Sequence, residues 1–211
     1  MRQVLYLGLD PPSSDVFHYP VIRTEKIESP LLKEVFSQWD AITHLIFTSK
    51  RAVMYWEEVG SFAKKIGIAI GSGTRRELEK RGVQSLVAPF ATQEGVVALI
   101  EKMKDPEKNF FFFYPHSTSA RPFFAKYLEG SGLRYMTCPL YRTLPQKLEP
   151  VPDPSHFDEI VFTSPSTVHA FLAIFGSFPK GPRFTSIGPV TEQVLTDLRQ
   201  RLRSGAPFTL Y

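Results

Sequence analysis

The sequence predicts a two-domain α/β protein built on parallel sheets. Short apolar runs alternate with helical patterns along most of the chain. The run Phe110–Tyr114 has no polar alternation, which is the pattern of a strand covered on both faces. A pair of strand–turn–helix motifs occurs once in each half.

Val4–Leu9 reads as a buried strand, closed by the turn residues Asp10-Pro11-Pro12-Ser13-Ser14-Asp15. Phe17–Glu28 reads as an extended, β-rich connection, and Leu31–Trp39 as a short helix with Leu32, Val35 and Phe36 at helical spacing. Strands are then expected over Ile42–Thr48, Ile66–Ile70, Val83–Ala88, Phe110–Tyr114 and Leu133–Leu140. Between them fall helices over Arg51–Val59, Thr74–Arg81 (closed by Gly82), Thr92–Met103 and Arg121–Leu128. The Pro-rich segment Pro145–Pro154 reads as a linker. Strands Glu159–Thr163 and Phe184–Ile187 alternate with helices Thr167–Phe175 and Glu192–Leu202, and Pro207–Tyr211 reads as one last short strand.

The 211 residues allow one large domain or two small ones, and 43% apolar with 22% charged residues is globular composition. Net charge is +4, but the basic residues form no long block, which favours an anionic small ligand over nucleic acid. The single cysteine, Cys138, excludes an intrachain disulfide and cysteine-pair metal sites, and points to a reducing compartment. The five histidines show no metal-ligand spacing. No signal peptide or membrane span is visible, so the expected location is the cytoplasm.

The repeat carries the functional reading. Ile46-Phe47-Thr48-Ser49 with Val53 matches Val161-Phe162-Thr163-Ser164 with Val168. Ala69-Ile70-Gly71-x-x-Thr74 with Leu78 matches Ser186-Ile187-Gly188-x-x-Thr191 with Leu195. Gly71 follows Ser49 by 22 residues, and Gly188 follows Ser164 by 24, so the two motifs keep both order and spacing. Each motif ends a strand and opens a helix, where a hydroxyl can cap and free N–H groups can hold an anion. One such end alone is read as a helix cap; four in matched pairs are read as a ligand site at the carboxyl edge of the sheets. Gly71-Ser72-Gly73 lacks the third glycine of a dinucleotide fingerprint, which leaves a nucleotide-dependent enzyme as a minor reading.

These segments, with Pro139-Leu140-Tyr141-Arg142-Thr143, resemble the uroporphyrinogen-III synthase family from about Ile42 to Leu195. The resemblance implies two HemD-like, flavodoxin-like parallel-sheet domains joined by a two-stranded β linker, one domain inserted in the other. The outer domain would comprise residues 1–27 and 146–211, the inserted domain 28–139, and the linker strands 19–27 and 140–145. The linker pair is expected to act as a hinge. Only Asp10–Val16 fills the place of the family's first helix, and a further strand and helix are expected to be missing after the second Gly-x-x-Thr helix, so the outer domain is expected to be shortened at both ends.

The implied reaction dehydrates and cyclises hydroxymethylbilane, a linear tetrapyrrole with eight carboxylates, with no metal or organic cofactor. Thr48, Ser49, Gly71, Thr74, Thr163, Ser164, Gly188 and Thr191 are the expected carboxylate-binding residues, and positioning of the flexible chain is expected to supply most of the rate. His116 and Ser117, expected to open another helix at the same edge, either join them or serve as a cap with a solvent-facing ring. Tyr141 matches the family's linker tyrosine: it is the candidate general acid, or else it packs at the hinge and fixes domain geometry. The protein is expected to work as a monomer without nucleic-acid or membrane partners. A non-catalytic two-lobed binder of an anionic small molecule is the competing reading.

Overall fold

In the computed structural model, which describes residues 2–105 and 107–204, three strands come first, and helices and strands alternate after them as far as the eighth strand. Strand β1 (Val4–Tyr6) leads through turns to β2 (Phe17–His18) and β3 (Ile22–Lys26). Then come α1 (Leu31–Ser37), β4 (His44–Phe47), α2 (Lys50–Glu57), β5 (Ile66–Ala69), α3 (Ser72–Glu79), β6 (Ser85–Val87), α4 (Gln93–Met103), β7 (Phe111–Ser117), α5 (Pro122–Gly130) and β8 (Arg134–Pro145). The chain finishes with β9 (Glu159–Phe162), α6 (Pro165–Phe175), β10 (Arg183–Ser186) and α7 (Pro189–Ser204). The strand expected over Pro207–Tyr211 lies outside the described residues.

The described chain divides into two units, Glu25–Arg142 and Met1–Thr24 with Thr143–Tyr211. In the first of these the sheet order is β8-β7-β4-β5-β6, with β3 beyond β8. Each strand pair from β8 through β6 is parallel. The Phe-rich strand is covered on both sides. Phe111 and Phe113 join Leu45, Phe47, Val53 and Trp56 on one face, while Phe112 and Tyr114 join Ile46, Ile68, Val96, Ile100 and Phe124 on the other. This is a doubly wound, three-layer unit.

The other unit has the parallel order β10-β9-β1-β2. Its α6 and α7 contribute Val168, Phe171, Leu172, Leu195 and Leu198 to one core cluster with Leu5, Leu7, Ile160 and Phe162. Residues 7–16 form turns with no helix. Counted from β1, this order is 2-1-3-4; counted from β7, the larger sheet is 2-1-3-4-5. Both are the flavodoxin-like order, but the larger unit enters it at its third strand.

The start of the sixth strand differs from expectation for a clear reason. The sixth strand starts at Ser85 rather than Val83, because Gly82 (φ 68°) closes α3 and the Val83 N–H donates to the Leu78 carbonyl. Strand β8 runs without a break from the strand expected over Leu133–Leu140 into the linker strand expected over 140–145, because β3 pairs with it: the Ile27 N–H donates to the Leu140 carbonyl (2.9 Å) and the Gln146 N–H to the Val21 carbonyl (2.7 Å). After β8, the Tyr19 hydroxyl donates to the Leu148 carbonyl at 2.7 Å and pins the Pro-rich segment.

Packing is close around Trp56. Its ring is fully buried, its indole N–H donates to the Ser61 carbonyl, and a Cβ on Gly60 would overlap the ring. Gly60→Ala is expected to lower unfolding stability by about 1–3 kcal/mol in urea titration. Gly130→Ala, at a helix end where a Cβ meets nothing within 4 Å, is expected to raise it by up to about 1 kcal/mol.

Candidate active site

The end of β4 sets the geometry. Side chains alternate across a strand, so Thr48 continues the Ile46 face and Ser49 the Phe47 face. Each hydroxyl meets a tyrosine. Thr48 Oγ1 lies 3.3 Å from the Tyr114 hydroxyl of β7, and Ser49 Oγ lies 2.7 Å from the Tyr141 hydroxyl of β8. Ser49 also accepts the Ala52 N–H at 3.0 Å and so caps α2. Strands β5 and β7 flank β4, so both pairs sit where the strand order reverses, the usual ligand position in open α/β sheets.

Tyr141 is 6% exposed. Burial pushes its phenol above the ordinary value, and the bond to Ser49 pulls the other way. It is therefore a neutral phenol at pH 7, with its proton in place. A register shift between His116 and Ser117 brings Ser117 opposite Tyr141, and the Thr118 N–H donates to the Tyr141 carbonyl at 2.9 Å. Tyr114 is likewise raised by burial, against the opposing effect of its Thr48 and Gln93 bonds.

His116 and Ser117 do not open a helix. They are the last residues of β7, and α5 begins at Pro122, because the bulge lets the strand pairing with β8 continue. The His116 Nδ1–H donates to the Ser117 carbonyl at 2.8 Å, and the ring stacks on Tyr114 at 4.9 Å. Burial lowers its pKa, so the ring is neutral at pH 7. Ser117 Oγ lies 3.0 Å from Ser119 Oγ.

The four helix starts differ in the donors they leave open. At α6, Ser164 caps Thr167, while Thr167 Oγ1 accepts the N–H groups of Thr163 and Ser164. At α7, Gly188 precedes Pro189, which has no N–H, and the Glu192 carboxylate accepts the Ser186 hydroxyl within the first turn. At α3, Gly71 gives no side-chain cap, and the Lys50 stem crosses beside Gly73, its Cδ 3.8 Å from where a Cβ would stand. The α3 start thus has no side-chain cap and has the Lys50 stem beside it. Thr74 and Thr191 are buried, at 4% exposure each, and face the interior of their helices' packing.

The registers extend the repeat further than the motifs do. Leu45 pairs with Phe113 as Ile160 pairs with Leu5, which makes Tyr114 the counterpart of Tyr6 and His116 that of Gly8. Tyr114 pairs with Thr137 as Tyr6 pairs with His18. Counting on, Pro139-Leu140-Tyr141-Arg142-Thr143 matches Pro20-Val21-Ile22-Arg23-Thr24. The shared Pro-x-x-Arg-Thr was the sequence signal for this second repeat. Tyr6 is a further phenol at a strand end; burial, then Asp10, raises its pKa. Thr163 stands against Gly8, where a Cβ would meet its Cγ2 at 2.5 Å.

Beside this edge, Arg121 donates to both oxygens of Glu94 (3.0 and 3.1 Å) in the first turn of α4. The guanidinium, then Glu94's own N–H, holds that carboxyl at about 2 instead of 4.5. A depressed carboxyl stabilises the fold above its ordinary pKa and loses that contribution as pH falls from 4.5 to about 2. Arg121→Ala is expected to return the Glu94 titration toward 4.5, read by carboxyl-carbon NMR.

Among the described residues no helix is long and apolar enough to cross a membrane. The sequence model of the family described as uroporphyrinogen-III synthase HemD matches residues 13–202. Uroporphyrinogen-III synthetase from Helicobacter pylori has a similar fold, with TM-score 0.66 and 18% identity over 98% of this chain and 91% of that one. A mutant uroporphyrinogen III synthase from Thermus thermophilus gives TM-score 0.62 and 18% identity over 93% and 89%. No curated protein matches by sequence. The family match covers nearly the whole described chain, and the chain belongs to the uroporphyrinogen-III synthase HemD family.

Proposed function

We propose that this protein is a uroporphyrinogen-III synthase in which Tyr141 is the general acid. It takes hydroxymethylbilane, removes the terminal hydroxyl as water, inverts ring D and closes the macrocycle. The reaction balances as substrate to uroporphyrinogen III plus water, so no oxidant or reductant enters.

The observation that carries the role of Tyr141 is its hydroxyl. At the matching place in the other repeat stands Ile22, which is buried and packs without one. Filling that place therefore does not require a phenol. In Tyr141 the phenol is kept neutral by burial and hydrogen-bonded to Ser49. As the proton moves to the departing hydroxyl, the Ser49 hydroxyl turns to donate to the phenolate. General acid help of this kind contributes about 10²–10⁴-fold.

Carboxylates of the substrate bind at the carboxyl-edge helix starts. The α3 start, with Gly71, Ser72 and Gly73 beside Lys50, is the strongest of them. Thr48, Thr163, Ser164, Gly188, His116 and Ser117 add hydroxyl, ring and backbone contacts, and Thr74 and Thr191 contribute by ordering the helix starts. The two units serve as domains, one inserted in the other, with β3 and β8 as the connecting pair; the division of the chain at Thr24/Glu25 and Arg142/Thr143 supports this. The protein works as a cytoplasmic monomer.

The test supplies freshly generated hydroxymethylbilane to the full chain and separates the oxidised products. The type III isomer is expected; the spontaneous type I isomer alone would overturn the reading. Tyr141→Phe is expected to reduce turnover by about 10²-fold or more.

A further inference from the structure

The α2 helix reaches Tyr141 twice. Its N-cap, Ser49, shares a hydrogen bond with the phenol oxygen. Tyr55, under two turns further along the same helix, lays its ring on the Tyr141 ring, with centroids 5.0 Å apart and planes 19° from parallel. The phenol is thus fixed at its tip by one residue and across its face by the other.

We propose that Tyr55 is a positioning residue for the reaction, holding the Tyr141 ring so that its O–H keeps one direction; this rests on the general-acid role given to Tyr141 above. A phenol O–H lies near the plane of its ring, so fixing that plane restricts where the proton can point. Ser49 fixes the oxygen, and the stacked Tyr55 ring lies along the plane and defines it. The Thr118 N–H bond to the Tyr141 carbonyl anchors the backbone at the same residue. Three contacts from α2 and the β7 bulge then define the position, the plane and the backbone of one side chain.

The same helix sets both side-chain contacts, which gives the arrangement a further property. Ser49 Oγ is both the cap of α2 and the partner of Tyr141. A shift of α2 would loosen cap, hydrogen bond and stack together, so the acid is aligned only when the helix is seated. Trp56, next to Tyr55 and fully buried, seats it.

The experiment is a double-mutant cycle on the full chain with hydroxymethylbilane as substrate, following formation of the type III isomer. Tyr55→Leu is expected to lower kcat by about 10-fold with KM within about twofold, since misplacement of a reacting group by a fraction of an ångström acts on the chemical step. Tyr55→Phe, which keeps the stacked ring, is expected to restore kcat to within about twofold of the original. Adding Tyr55→Leu to Tyr141→Phe is expected to cost nothing further, because the group being positioned is already gone. A double variant whose loss is the product of the two single losses would overturn the positioning role, as would a Tyr55→Leu protein of normal kcat. If Tyr141→Phe itself turns over normally, the general-acid reading and this inference fall together. A slow Tyr141→Phe protein with uncoupled Tyr55 removes this inference alone.

Discussion

The register of β4 is the constraint on which the site depends. Leu45 and Phe47 are buried in one cluster and Ile46 in the other, so the strand cannot slip by one residue without exchanging its faces. That fixed alternation carries past Phe47 and sends Thr48 and Ser49 to opposite sides of the sheet. Each then finds a phenol from a strand on the same flank of β4. Core packing thereby determines the direction of two hydroxyl groups that contribute little to the core themselves.

The two units share a skeleton and differ in what they place on it. Corresponding strands follow the same order, and the match runs from the strand tips into Pro-x-x-Arg-Thr. Yet Tyr141 faces Ser49 in one, while Ile22 stands in its place in the other. His116 in one is Gly8 in the other, which leaves room for Thr163. The helix starts diverge in the same way. In the smaller unit Thr167 accepts two N–H groups, Glu192 accepts the Ser186 hydroxyl, and a proline stands first in each helix, whereas the α3 start in the larger unit is uncapped by any side chain. A duplicated frame thus carries different hydrogen-bonding groups at corresponding strand tips and helix starts.

Much of this was legible in the sequence, for physical reasons. The Phe-rich run signalled a doubly covered strand because both clusters demand large apolar groups. The paired Thr-Ser and Gly-x-x-Thr motifs marked the strand tips because capping and turn chemistry are local. What was not legible depended on registers between distant strands. No local rule joins the strand before Leu140 to the linker strand after it, which the resemblance alone implied, since only pairing with β3 makes them one strand. The strand role of His116 depends on a bulge opposite Tyr141. The burial of Thr74 and Thr191 is set by which side of their helices faces the sheet. The equivalence of Ile22 and Tyr141 was written in Pro-x-x-Arg-Thr, but it has meaning only once the strand pairs are known.

The electrostatics of Tyr141 bear on the general-acid role proposed for it. A buried phenol keeps its proton at neutral pH, which makes it available but reluctant to leave. Tyr114 and Tyr55 add to that reluctance, while Ser49 and then Arg51 oppose it. The helpful groups act on the phenolate, the form that exists once the proton has moved. In the proposed role their effect would fall on the transition state more than on the resting enzyme, which is the condition for raising a rate and not merely an affinity. The leaving group needs only modest help, because the pyrrole nitrogen pushes electrons toward the departing oxygen. For the role proposed for Tyr141, a weak acid held in one direction is then better suited than a strong one that would be ionised before the substrate arrived.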